Sequence, residues 1–257
     1  MKTQFFEQYG DKIEFQNDSD IHEKLLNIDC SVPKRTQGRT SNHREIHCIK
    51  IYLMQLSTNK LLRFPLRIEK EEAPDFFILS NGETTTLEVT EASTEDYQRA
   101  MTGLERNPDG TLLEALPIFD PGINPPKGEY KKALRTRGEK LIGEGWVGDS
   151  VGKVWINIIL NAIDKKINSL NEPHFKTADR YELLIYDNSH VAEMVNIKDA
   201  LPLLKNAVFE KLDPKSKRNF HSISVIHGNK LLYDITNKVL ILKKMTDKTS
   251  HNNRPKD

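Results

Sequence analysis

Cysteine is scarce. The 257-residue chain has two, Cys30 and Cys48, and neither belongs to a CxxC pair. This excludes a disulfide framework and points to a reducing, cytoplasmic setting. Long apolar runs are missing as well: no stretch approaches the roughly 18 apolar residues of a membrane span. The opening MKTQFFEQYGDKIEF holds no apolar run of the kind a signal peptide needs. Charge of one sign is not in excess either, with 38 Lys and Arg against 37 Asp and Glu and a formal net charge of +1. A polyanionic partner would have to be met by local clusters rather than by overall charge. What is present is an apolar content of 37% beside 29% charged residues. That suffices for a folded core, and the length suits one large domain or one domain carrying an insertion.

The punctuation of the chain predicts an α/β protein. Residues 1–40 are polar and mixed, an N-terminal extension, and Ser31–Asn42 reads as a loop. Ser41 or Asn42 is placed to cap a helix running to about Leu56. A strand near Leu62–Ile68 is followed by PDFFILSNGETTTLEVTEAS, two strands joined at Asn81-Gly82, the strongest short-range hairpin signal. Residues 95–150 are rich in Gly and Pro and weakly periodic. They read as an insertion with some helix near Tyr130–Ile142. Further elements are a helix over Val151–Leu170, a buried strand Tyr181–Asp187, a helix Ile197–Lys211 and a strand His221–His227. Gly228-Asn229 then turns into a last strand, Lys230–Ile235. The main domain spans 41–240, and 241–257 is a polar tail. A hairpin combined with a crossover implies a three-layer α/β sandwich with a mixed central sheet.

The hairpin carries the chemistry. With Asn81 and Gly82 as a two-residue turn, Ser80 opposes Glu83, and Asp75 falls opposite Glu88 on the same face. Like charges placed so destabilise a sheet unless a pKa rises or a cation binds. A hard divalent ion such as Mg²⁺ takes one or two carboxylates and completes its shell with water and phosphate. Thr90 shares the face of Glu88 by strand alternation. The bland alternative, solvent-facing strand residues, stays open, because a one-residue slip would send the carboxylates to opposite faces.

Two helices place ionic residues among apolar ones. On the helix from Val154, the residues Trp155, Ile159, Ala162, Ile163 and Leu170 share an arc with Lys166 at its centre. Lys165 lies near the edge of that arc, and Asp164 points away. Either the Lys166 stem snorkels to water or its ammonium meets buried carboxylates. On the helix from Arg44, Glu45 lies on the side of Ile46, Ile49, Leu53 and Leu56, whereas Arg44, His47 and Lys50 point elsewhere. Glu45 either serves a site or interacts with the helix dipole.

Pro74-Asp75, twelve residues, then Glu88-Val89-Thr90 resembles the signature of the PD-(D/E)xK, or restriction-endonuclease-like, nucleases. The resemblance covers roughly residues 41–190 and implies an αβββαβ core and a metal-dependent endonuclease, most readily acting on DNA. It implies Asp75 and Glu88 as ligands of Mg²⁺ or Mn²⁺, and Glu45 as an accessory acid. The family's usual lysine falls at Thr90, a departure. Some relatives carry that lysine on the following helix, where Lys166 stands, with Lys165 beside it. A restriction, defence or mobile-element role follows only by analogy of fold, and a homodimer would suit the cutting of two strands.

The stretch 127–140 is locally basic, and Lys131, Lys132, Arg135 and Arg137 are its candidate phosphate contacts. A solvated helix face is the competing reading. Lys215, Lys217 and Arg218 form a weaker cluster. Three rival functions stand beside the nuclease: a nuclease-fold protein that binds nucleic acid without cutting it, a partner-binding protein, and a hydrolase using some of the eight histidines.

Overall fold

The reversal at Asn81-Gly82 sets the register of the sheet. Both residues have positive φ, 48° and 83°, as a type I′ hairpin turn requires. The strands on either side, β3 (Phe76–Ser80) and β4 (Glu83–Ala92), pair from Ser80↔Glu83 to Phe76↔Leu87. The computed structural model describes residues 11–26, 28–106, 110–112, 134–136, 149–212, 218–228, 230–237 and 240–243.

Among these residues β3 and β4 belong to an eight-stranded mixed sheet, ordered β1-β2-β3-β4-β7-β8-β9-β10. Its other strands are β1 (Lys12–Phe15), β2 (Leu66–Lys70), β7 (Arg180–Asp187), β8 (Ser222–His227), β9 (Lys230–Tyr233) and β10 (Leu240–Lys243). The centre, β4-β7-β8, is parallel and both flanks are antiparallel. A separate two-stranded ribbon pairs β5 (Gly110–Leu112) with β6 (Leu134–Thr136).

Helices cover both faces. On one side α1 (Asp18–Leu26) and α2 (Ser41–Thr58) pack Ile21, Leu25, Ile49 and Leu53 against Phe76, Leu87 and Val89. On the other, α4 (Ser150–Leu170) and α5 (Ile197–Lys211) pack Trp155, Ile159, Ile163 and Leu204 against Ala92, Leu183 and Ile185. Both of these helices are crossovers between parallel strands, which cannot be joined by a tight turn. Strand alternation divides β4 between the layers: Leu87 and Val89 face α2, leaving Glu88 on the side of α4.

Several local expectations are corrected. The cap of α2 is Thr40 rather than Ser41 or Asn42, and its backbone N–H donates to His43 Nδ1 (3.2 Å). The second strand begins at Leu66, because Pro65 has no N–H to offer a ladder. The helix expected near Tyr130–Ile142 falls largely outside the described residues, and its described piece is the strand β6. A helix α3 (Glu95–Arg106) precedes it. Within the first forty residues, β1 pairs with β2 and α1 packs on the core. At the other end β10 carries the sheet to Lys243. No helix among the described residues is long and apolar enough to cross a membrane.

Candidate active site

Asp75 lies one residue before β3, next to the last ladder pair, Phe76↔Leu87. Its Oδ2 accepts the backbone N–H of Val89 (2.7 Å), which ties it beside Glu88. Glu88 is buried in mid-strand, 5% exposed. From α4, Lys166 Nζ donates to Glu88 Oε2 and lies 3.9 Å from Asp75 Oδ2. The apolar arc of α4 therefore delivers this lysine onto the carboxylates, and its side chain is 23% exposed. Lys165, one position back, is exposed.

The electrostatics follow from the crowding. Burial, then the charge of Glu88, then that of Glu45 push the Asp75 carboxyl up. Lys166 and the Val89 N–H oppose them, and the result is about 6, against an ordinary 3.8. Like charges in a shared, poorly solvated site behave in this way.

Glu45 is buried on α2, 7% exposed, and its Oε2 pairs with Lys70 Nζ at 2.9 Å. Sequence reasoning missed Lys70. Its ammonium also donates to the carbonyls of Glu71 (2.9 Å) and Asp75 (3.0 Å), so three acceptors match its three protons. It lies 4.9 Å from the centre of the Phe76 ring. Its position at the end of an amphipathic strand gave no hint of this, since exposed strand ends commonly carry lysine. Thr90 is half-buried two residues beyond Glu88. Lys131, Lys132 and Arg137, with Lys215 and Lys217, lie outside the described residues, and Arg135 is described only as a backbone position in β6. Arg218 donates to the carbonyls of Leu170 (3.3 Å) and Phe175 (3.2 Å), which ties a loop to the end of α4.

Among the described residues no three His, Cys, Asp or Glu side chains are grouped to hold one ion. A hard cation of the Mg²⁺ kind needs only one or two carboxylates and keeps its waters, whereas a closed zinc site needs four ligands. Two other sequence patterns lead elsewhere. In His43-x-x-x-His47, His43 serves the cap of α2, and His47 Nδ1 sits 3.1 Å from the Cys30 carbonyl. In Gly148-Asp149-Ser150-Val151-Gly152, Ser150 is the first residue of α4. Five positions before Trp155, it lies roughly 140° around the helix from it.

The carboxyl ends of the parallel strands hold a cavity of about 940 Å³, lined by Tyr97, Tyr186, Asp187, His190 and His227 among others. There Asp187 Oδ2 accepts Trp155 Nε1–H (2.7 Å) and meets His227 Nδ1 (2.6 Å). His190 is held down to about 4 by burial, against the pull of Asp187, so it is neutral at pH 7.

A second buried carboxylate stands three residues beyond Glu88, on the opposite face of β4. Glu91, 4% exposed in its side chain, meets Arg44 at 2.8 Å, Arg35 at 3.2 Å and Arg39 at 3.5 Å. Asn188 Nδ2 donates to its Oε1 (2.6 Å). Burial opposes its ionisation, but the bonds from Asn188 and Arg44 and the charges of Arg44 and Arg39 prevail and hold its pKa below the ordinary value. Arg44 is thus turned into a buried cluster rather than away from the sheet. No family model, curated protein or solved structure matches the chain.

Proposed function

We propose that the chain is a metal-dependent endonuclease of the PD-(D/E)xK kind, acting on DNA, with Asp75, Glu88 and Lys166 as its catalytic set. The observation that carries this reading is the meeting of one lysine with two acids, one in β4 and one just before β3. Lys166 Nζ reaches both Glu88 and Asp75 from a helix 78 residues further along the chain than Glu88. The order α2-β2-β3-β4, an excursion, then α4-β7 supports the αβββαβ core.

In this reading Asp75 and Glu88 hold a Mg²⁺ or Mn²⁺ ion, which would neutralise the paired carboxylates and make a bound water more acidic. Lys166 takes the part of the lysine that Thr90 lacks, orienting the attacking water and stabilising charge on the phosphoryl oxygens. Thr90 has only a hydroxyl to offer water or phosphate. Glu45 acts at one remove, through Lys70 and the Asp75 carbonyl.

A second reading rests on the ion pair itself. Lys166 gives Glu88 a counter-charge from within the chain, as it would in a relative that binds nucleic acid and does not cut it. Incubating the full chain with plasmid DNA, linear duplex and RNA, in Mg²⁺, Mn²⁺ and EDTA, separates the two. Cleavage that needs metal and disappears in Asp75→Asn and Glu88→Gln supports the nuclease. Binding without cleavage in either metal supports the second reading, and neither outcome on any substrate overturns both.

A further inference from the structure

The Glu91 cluster is out of charge balance. Three guanidinium groups converge on one carboxylate, and among the described residues no other acid pairs with any of the three. Glu105 accepts from the backbone N–H groups of Arg35 and Thr36 and from the Thr36 hydroxyl. Among the described residues the cluster therefore sets three positive charges against one negative. The three side chains are only 16–25% exposed, so these charges are partly withdrawn from water. Arg44 Nε is buried without a hydrogen-bond partner. Partly buried surplus charge is costly unless an anion neutralises it, and guanidinium groups with spare donors suit the oxygens of a phosphate.

The cluster also has a telling position. Arg44 and Glu45 are consecutive on α2, about one turn in from its first residue, Ser41. Arg44 turns to Glu91, and Glu45 turns to Lys70 and thence to Asp75. Along β4, Glu91 stands three residues from Glu88, a rise of about 10 Å, with its side chain on the opposite face of the strand.

We propose that Arg35, Arg39 and Arg44 form a phosphate clamp for a nucleic-acid backbone on the face of β4 opposite Glu88, with Glu91 as the carboxylate that offsets part of their charge. The clamp rests on the nuclease reading for its choice of nucleic acid as ligand. A purely structural cluster, tying the Arg35–Arg39 segment to β4, is the competing account, and the sign of one substitution separates the two. A structural cluster is weakened equally by losing Glu91 or an arginine. A clamp gains net positive charge when Glu91 is neutralised.

The test is fluorescence anisotropy of the full chain with a labelled 20-base-pair duplex and its single strands, in EDTA, between 50 and 200 mM KCl. Arg39→Gln, whose tie to Glu91 is the longest, and the double variant Arg35→Gln/Arg39→Gln are compared with Glu91→Gln, each checked for an unchanged circular dichroism spectrum. The clamp predicts at least tenfold weaker binding by the double variant at 50 mM KCl, with a salt slope shallower by about one for each phosphate no longer neutralised. It predicts that Glu91→Gln binds as tightly as the parent or more tightly. If the parent binds and the arginine variants match it in affinity and slope, the clamp fails while the nuclease reading stands. If Glu91→Gln weakens binding as much as the arginine variants do, the cluster is structural. If the parent binds neither duplex nor single strand, the clamp fails together with the reading beneath it.

Discussion

Lys166 and Glu88 form an ion pair between the last third of α4 and the middle of β4. The pair exists because Lys166 follows Trp155 by three helical turns and so shares its sheet-facing side. The same ammonium lowers the pKa of Asp75 from a distance. Lys166→Met should therefore raise the Asp75 pKa beyond about 6 and shift the acid limb of any metal-dependent cleavage to higher pH. Loss of the cation should also lower the rate about 100-fold or more. Initial rates between pH 5 and 9 check both effects, and an unmoved acid limb would remove Lys166 from the electrostatics of the site.

Asp75 should cost the metal-free protein stability. Its folded pKa of about 6 lies above the ordinary 3.8, so between these values the folded state binds more protons than the unfolded one. Stability then falls as pH rises through this window, and the full cost, about 3 kcal/mol, is present above pH 6. Asp75→Asn removes the charge and leaves an oxygen to accept the Val89 N–H. Urea denaturation in EDTA should show the variant more stable than the parent by up to about 3 kcal/mol at pH 7.5, with the gain gone at pH 4. A variant less stable at pH 7.5 would contradict this account of the site.

Asp187 anchors two rings. Its Oδ2 receives the indole N–H of Trp155, a side chain with no exposed surface, and meets His227. Asp187→Ala would leave that indole donor buried without a partner, at a cost of about 2–3 kcal/mol. Asp187→Asn keeps an acceptor and should cost less. Guanidinium denaturation followed by tryptophan fluorescence measures the ordering of the two variants, and equal losses would show that packing, not the hydrogen bond, matters there.

Gly82 sustains the hairpin register through its backbone alone. Its φ is +83°, and nothing lies within 4 Å of where a Cβ would sit. Gly82→Ala should cost about 1 kcal/mol from the left-handed conformation and nothing from crowding. Thermal unfolding resolves a change of that size, and an unchanged midpoint would mean that the turn relaxes to another type.

Much of the site was legible because it depends on short periods. An Asn-Gly turn and two-residue alternation bring Asp75 alongside Glu88. Helical periodicity turns Lys166 inward with Trp155 and Ile163, and Glu45 inward with Ile46 and Ile49. Lys70 was not legible, since a lysine at a strand end looks the same whether it meets water or Glu45. Strand β1 was missed because four residues on a sheet edge, with Lys12 and Glu14 exposed, carry almost no pattern.

What the sequence determined by itself is local: the hairpin register, the inward faces of α2 and α4, and the alternation of helices and strands that makes the sheet mixed. Each follows from backbone geometry repeating over two to four residues. Tertiary structure alone decided which inward-facing charges meet. Lys166 reaches Glu88, Lys70 joins Glu45 to the Asp75 carbonyl, and three arginines gather around Glu91, because distant segments pack on opposite faces of one sheet. Such meetings are set by the layering of the whole domain, and no repeat within any one segment encodes them.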